Sequence, residues 1–115
     1  MKTGFGWIEV LRVRYDHDII IHVDGSVTKR KKKLSKGEKG HYGHTPLSDA
    51  EIGFFLDERP NRVFIGTGQY GDLPLTPAAE EILKSHHAVI RPTPEILPLI
   101  EQEKGKYVAV LHVTC

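Results

Sequence analysis

Gly66-Thr67-Gly68-Gln69-Tyr70-Gly71 follows a short apolar run that ends at Ile65, and it spells G-x-G-x-x-G. In a dinucleotide fold such glycines allow a tight turn and let a pyrophosphate approach a helix N-terminus. The surroundings here do not match that use. Pro74 and the Thr76-Pro77 pair place the next helix start several residues past the loop, and Arg91 stands near the place where an acidic ribose ligand would be required. The glycines are therefore read first as a device for unusual backbone angles and close packing. A pocket is still expected, because ligands of open α/β sheets sit beyond the carboxyl ends of the strands. Its expected lining is Gly66, Thr67, Gly68, Gln69 and Tyr70, with Arg91 and Thr93 facing them. Tyr42 and His44, on a glycine-rich connector, are expected to cover it. A small anion or a peptide would suit such a pocket.

Histidines and carboxylates offer less. His41 and His44 have H-x-x-H spacing and His112 and Cys115 have H-x-x-C spacing, which together could supply four zinc ligands. One pair lies in a connector and the other includes a terminal residue, so packing or surface histidines are the favoured reading, with no metal and no cofactor. Asp16 and Asp18 would share a strand face, but no orienting partner can be assigned to them. Ser48 reads as a helix cap rather than a nucleophile. Cys115 would need a neighbouring cation or helix N-terminus to become a reactive thiolate. The balance leans away from an enzyme.

Seven basic residues and one acidic residue between positions 29 and 39 give that segment +6, while the rest of the chain carries −5. Alternation along a strand points Lys29, Lys31 and Lys33 one way and Arg30 and Lys32 the other, so neither face is expected to be buried. The run should leave the sheet or lie along its edge, where lysines discourage edge-to-edge pairing. It has no interleaved aromatics for base stacking, which argues against nucleic acid.

These residues must be positioned by one domain, 1–115. Its composition, 39% apolar and 27% charged, is that of a globular chain. No apolar run reaches the ~18–20 residues of a membrane helix, and no signal peptide is visible. A single cysteine fits a reducing compartment, so a cytoplasmic protein is expected. Phe5 to Val10, Arg12 to Tyr15 and Asp18 to Val23 read as strands. Asp24-Gly25 predicts a type I′ hairpin pairing Val23 with Ser26, His22 with Val27 and Ile21 with Thr28. Lys31 to Leu47 is a long connector. Ser48-Asp49-Ala50-Glu51 predicts a capping box, and Arg59-Pro60-Asn61 ends the helix it opens. Arg62 to Ile65, Ala88 to Ile90 and Tyr107 to Val113 are apolar strands. Thr76-Pro77 and Thr93-Pro94 predict helix starts with Thr as N-cap, and Pro98 should kink the second of these helices or delay its start. Helices alternating with short apolar strands predict an α/β domain, a three-layer sandwich with a mixed sheet, in which an N-terminal β-hairpin region precedes alternating helices and strands.

Several segments together resemble the Mth-domain family, that of the adipogenesis-associated Mth domain-containing proteins. They are Gly4-Phe5-Gly6-Trp7, Tyr15-Asp16, Asp24-Gly25, Gly43-His44-Thr45-Pro46-Leu47, Phe64 to Gly71, Pro92-Thr93-Pro94-Glu95 and Leu111-His112-Val113-Thr114-Cys115. The resemblance covers nearly the whole chain. It implies a compact single-domain, three-layer α/β fold and no established enzyme activity, and it carries over no catalytic residue. The expected function is that of a non-enzymatic binding or assembly-type domain working through a protein partner. Phe5, Trp7, Tyr42 and Tyr70 are the aromatics singled out for an interface. The alternative is a small anionic-ligand or nucleotide-binding protein, or an enzyme, using the Gly66–Gly71 loop.

Overall fold

The computed structural model describes residues 1–38 and 45–115. Strands β1 (Lys2–Gly4), β2 (Trp7–Val10) and β3 (Val13–Tyr15) form an antiparallel three-stranded sheet. A second, mixed sheet of five strands has the order β5-β4-β8-β6-β7, with β4 Ile19–Ile21, β5 Val27–Lys29, β6 Arg62–Thr67, β7 Val89–Arg91 and β8 Tyr107–His112. β6 runs parallel to β7 and β8, whereas β4 is antiparallel to β5 and β8. The helices are α1 (Asp49–Ile52), α2 (Phe54–Glu58), α3 (Pro77–Ser85) and α4 (Thr93–Gln102), and Lys32–Glu38 form a 3₁₀ helix.

Strand alternation decides the layers. Ile19, Ile21, Phe64, Ala109 and Leu111 face Ile8 and Val10 of β2 and Ile96, Leu97 and Ile100 of α4. Ile20, Val63, Ile65, Val108 and Val110 face the other way, onto Ile52, Phe55, Ala79 and Leu83 of the remaining helices. The central strands are apolar on both faces because both are covered. The result is a compact single α/β domain of three layers, as expected. Among the described residues no helix is long and apolar enough to cross a membrane.

Local details correct the sequence reading. The first strand candidate is a hairpin, β1 and β2, turning at Phe5-Gly6 with Gly4 opposite Trp7; Lys2-Thr3-Gly4 is too short and polar to announce itself. The Asp24-Gly25 hairpin is one residue out of the expected register, with Ile21 opposite Val27 and Ile20 opposite Thr28. Only Gly25 of the pair has positive φ (86°), so the turn is a three-residue loop with a glycine bulge rather than type I′. Ser26 N donates to Asp24 Oδ1 at 2.9 Å and holds this geometry. The slip brings His22 between Glu58 Oε2 and Thr28 Oγ1, each 2.6 Å from a ring nitrogen.

Ser48 stands at the N-cap of α1 but makes no side-chain cap hydrogen bond, so the capping box does not form. The expected single helix is two short ones joined at Gly53, and Arg59 ends the second with φ of 51°. Thr76 caps α3 as expected, accepting from Ala79 N. Pro92 caps α4 in place of Thr93, and the helix continues through Pro98. Burial of Ile96, Leu97 and Ile100 on the sheet outweighs the missing backbone donor.

Candidate functional site

The carboxyl ends of β8 and β5 meet the amino end of β4, because β4 is antiparallel to both. Asp18, Arg30 and His112 stand together there. Arg30 Nη1 donates to Asp18 Oδ2 at 2.9 Å. Its Nε and Nη2 grip Glu51 Oε1 and Oε2 at 2.7 and 2.9 Å, and Nη2 also reaches the Pro46 carbonyl at 2.9 Å. The Asp18, Arg30 and Glu51 side chains are 1–2% exposed. Glu51 thus serves Arg30, not a capping box, and Ser35 Oγ donates to its Oε2 while sitting 2.6 Å from Ser48 Oγ. Buried charges are tolerated only when paired and fully hydrogen-bonded. That condition is met here, since among the described residues no buried side-chain polar atom lacks a partner.

Asp18 is the hub. Its Oδ1 accepts from Val113 N at 2.8 Å and its Oδ2 accepts from His112 Nδ1 at 2.7 Å, while Lys32 Nζ lies 3.7 Å away. Burial by itself would push this carboxyl up; the His112 hydrogen bond and charge, the Val113 amide and Lys32 outweigh it and hold Asp18 well below the usual carboxylate range. Arg30 is likewise held charged: burial opposes its charge, but Glu51 and Asp18 raise its pKa. On the far side of the imidazole, His112 Nε2 stands 3.2 Å from Thr114 Oγ1.

Above this cluster opens a cleft of about 800 Å³, within the range of small-ligand sites. Gly6, Asp16, His17 and Asp18 line one part, Val113 and Thr114 another, and Thr28 to Lys33 the rest. The basic run is therefore split in its roles. Arg30 turns inward, contrary to the expectation that neither face of the run would be buried, because two carboxylates wait for it. Lys29, Lys31, Lys32 and Lys33 form the cationic wall of the cleft. Lys29 ends β5, which is an edge strand, and the run leaves the sheet beyond it, so both expected placements occur.

The loop expected to hold the site is packed instead against the C-terminal segment. Gln69 N donates to Thr114 O at 2.8 Å, and Tyr70 N and Asp72 N both donate to Cys115 O at 3.1 Å. Gly68 N donates to Thr93 Oγ1 at 3.0 Å, and Thr93 Oγ1 donates to His112 O at 2.6 Å. Gly66, Gly68 and Thr93 are thus brought together in close packing, with Thr67 buried. Gln69 reaches Thr3, Tyr70 is 72% exposed beside Phe5, and Arg91 turns back to the Ile90 carbonyl. Tyr42, His44 and His41 lie outside the described residues. Trp7 packs beneath Arg14, its ring centroid 4.9 Å from the guanidinium carbon.

Gly68 shows why the motif is glycine-rich. Its φ is 102°, and a Cβ there would lie 2.4 Å from Thr114 O. Gly68→Ala should cost at least about 1–3 kcal/mol from backbone strain, read as a lower urea midpoint. Gly37→Ala, where no atom of the described residues lies within 4 Å, should stay within about 0.5 kcal/mol of the parent.

Sequence reasoning passed over Arg30, Glu51 and Lys32 as site residues and left Asp18 without a partner. The one available signal was the isolated Asp18 before an all-isoleucine strand, since a carboxylate in an apolar stretch needs a cation.

No protein-family model matches the chain, and no curated protein does. Among solved structures it is similar to the conserved hypothetical protein PH1505 of Pyrococcus horikoshii OT3, at 30% identity over 100% of this chain and 98% of that one, with a TM-score of 0.85. It is also similar to the protein MT938, at 29% identity over 100% and 96% of the two chains, with a TM-score of 0.82. A Bordetella parapertussis protein shares the fold at 20% identity, over 98% of this chain and 92% of that one, with a TM-score of 0.52. Full-length coverage at that identity and geometric agreement places this chain in the family of the Pyrococcus horikoshii conserved hypothetical protein.

Proposed function

We propose that the protein is a binding domain for a small phosphate- or carboxylate-bearing anion, seated in the cleft at the carboxyl ends of β8 and β5. The observation that carries this reading is the wall of four lysines, Lys29, Lys31, Lys32 and Lys33, around an 800 Å³ cleft. Ammonium groups gathered on one concave surface focus a positive field and attract anions. The floor is rigid, since Asp18, Arg30 and Glu51 hold one another in place. The site keeps the expected anion chemistry and moves it from the Gly66–Gly71 loop to the neighbouring strand ends. We also read the chain as an Mth-type domain, on the motifs from Gly4 to Cys115 quoted above. Its single free cysteine suits a reducing compartment such as the cytoplasm.

Amide chemical-shift titration with inorganic phosphate, citrate and ATP tests the reading. Saturable shifts at Gly6, His17, Lys29 to Lys33 and Thr114 are expected, weakening with salt. Lys31→Glu with Lys33→Glu should weaken binding by about 10-fold or more, the equivalent of ~1.4 kcal/mol. No shifts at millimolar anion would remove the anion reading. The assembly reading would then stand alone on the exposed pair Phe5 (61% exposed) and Tyr70 (72%), whose ring centroids lie 6.2 Å apart.

A further inference from the structure

Thr114, His112 and Asp18 form a hydroxyl–imidazole–carboxylate chain that ends in the cleft. The Asp18 carboxylate faces His112 Nδ1 at 2.7 Å and so takes that ring proton as a hydrogen bond. With Nδ1 turned to Asp18, Nε2 is the ring nitrogen left to accept from the Thr114 hydroxyl, 3.2 Å away. Asp18 cannot swing aside, because Val113 N holds its other oxygen and Arg30 shares Oδ2. A base oriented by a buried carboxylate and hydrogen-bonded to a hydroxyl is the arrangement that activates a nucleophile. Thr114 lines the cleft together with the four lysines.

We infer that Thr114 is a nucleophile toward an acyl phosphate, and the inference rests on the cleft being the anion site. The lysines would hold the phosphate. Thr114 Oγ1 attacks the carbonyl carbon and a new oxygen–carbon ester bond forms, while the carbon–oxygen bond to phosphate breaks. The hydroxyl proton passes to His112 Nε2 and leaves on the departing phosphate. Water then repeats the sequence in reverse roles: its oxygen bonds to the acyl carbon, the Thr114 ester bond breaks, and His112 returns a proton to Thr114. The balance is one acyl phosphate and one water consumed, one carboxylic acid and one phosphate released. Lys32, half exposed, 3.7 Å from Asp18 and in the wall of the same cleft, is the cation the inference assigns to the developing oxyanion. Asp18 is a positioning residue, acting through His112.

Acetyl phosphate is the probe. The whole chain, incubated with it and quenched in acid, should carry one acetyl group that hydroxylamine removes, mapped by peptide sequencing to Thr114. Acetylated lysines resist hydroxylamine and are thereby separated. Phosphate release should exceed the uncatalysed rate. Thr114→Val should lower both signals by about 100-fold or more, while Thr114→Ser should retain them. His112→Gln should lower the labelling rate by about 100-fold or more while phosphate still binds in the cleft, a split a merely structural contact would not give. An unlabelled Thr114 in a protein that binds inorganic phosphate in the cleft overturns the nucleophile and leaves the anion site intact. Absence of phosphate binding as well overturns both. A phosphoryl group on Thr114, or ester label on Thr28 beside His22, also overturns the assignment.

Discussion

Arg30→Met should lower the stability of the domain by about 3–5 kcal/mol, because it strands two buried carboxylates, Asp18 and Glu51, without their shared cation. The loss is large against the roughly 5–15 kcal/mol that holds a domain of this size together. It does not measure how much the ion cluster stabilises the fold over apolar packing. Desolvating three charges consumes much of what their attraction returns, and a buried apolar replacement of the whole set is often neutral or better. Arg30→Met combined with Glu51→Met should therefore recover part of the single-variant loss, since one stranded charge disappears while Asp18 keeps His112 and Val113. Urea melts of the parent, the single and the double variant give the coupling. A single variant within about 0.5 kcal/mol of the parent would mean that water reaches the cluster and that the floor of the cleft is not built as described.

Acid should unfold the protein through the same hub. Asp18 has its carboxyl pKa depressed in the folded chain, against about 3.9 unfolded. The unfolded chain thus takes up its proton first as pH falls. The stabilisation is fully present above the unfolded value and is lost progressively below it, toward the lower folded value. The contribution of this group should be complete and nearly constant between pH 7 and about 5, and stability should then fall steeply below about 4. Asp18→Asn should start less stable at pH 7 and lose the steep limb. The amide cannot accept from Val113, His112 and Arg30 as two carboxylate oxygens do. Asp16→Asn, at an exposed carboxylate paired with Arg14 at 2.9 Å, should follow the parent curve. An Asp18→Asn protein with an unchanged acid limb would assign that limb to other carboxylates.

The layer order was legible because period and punctuation are local. Tyr107 to Val113 reads as a strand covered on both faces, and β8 is that strand, buried along nearly its full length. Thr76-Pro77 marks the start of α3 and Arg59 the end of α2. Charge patterning also showed that the basic run must leave the sheet or lie along its edge: Lys29 ends the edge strand β5, and the run leaves the sheet after it, with Lys32 and Lys33 in the 3₁₀ helix. Reading failed where one residue answers to two demands. Ser48 and Glu51 have the spacing of a capping box, but Arg30, twenty-one residues before Glu51, offers that carboxylate a buried cation. Asp24-Gly25 has the composition of a two-residue turn, but only one of its residues goes to positive φ, and the register moves by one.

From residue order alone come the α/β class, the three layers, the exclusion of the basic run from the interior of the sheet and the need for glycine near Ile65. Each depends on neighbours a few positions apart, whose spacing sets which face a side chain occupies. The cleft, the inward turn of Arg30 and the chain from Asp18 through His112 to Thr114 depend on contacts spanning up to 95 positions. Those arise when β4 pairs antiparallel with both β5 and β8 and brings three strand ends to one edge. Local pattern carries no information about which distant strand end will arrive, so the partners of a buried charge are settled by the pairing of the sheet.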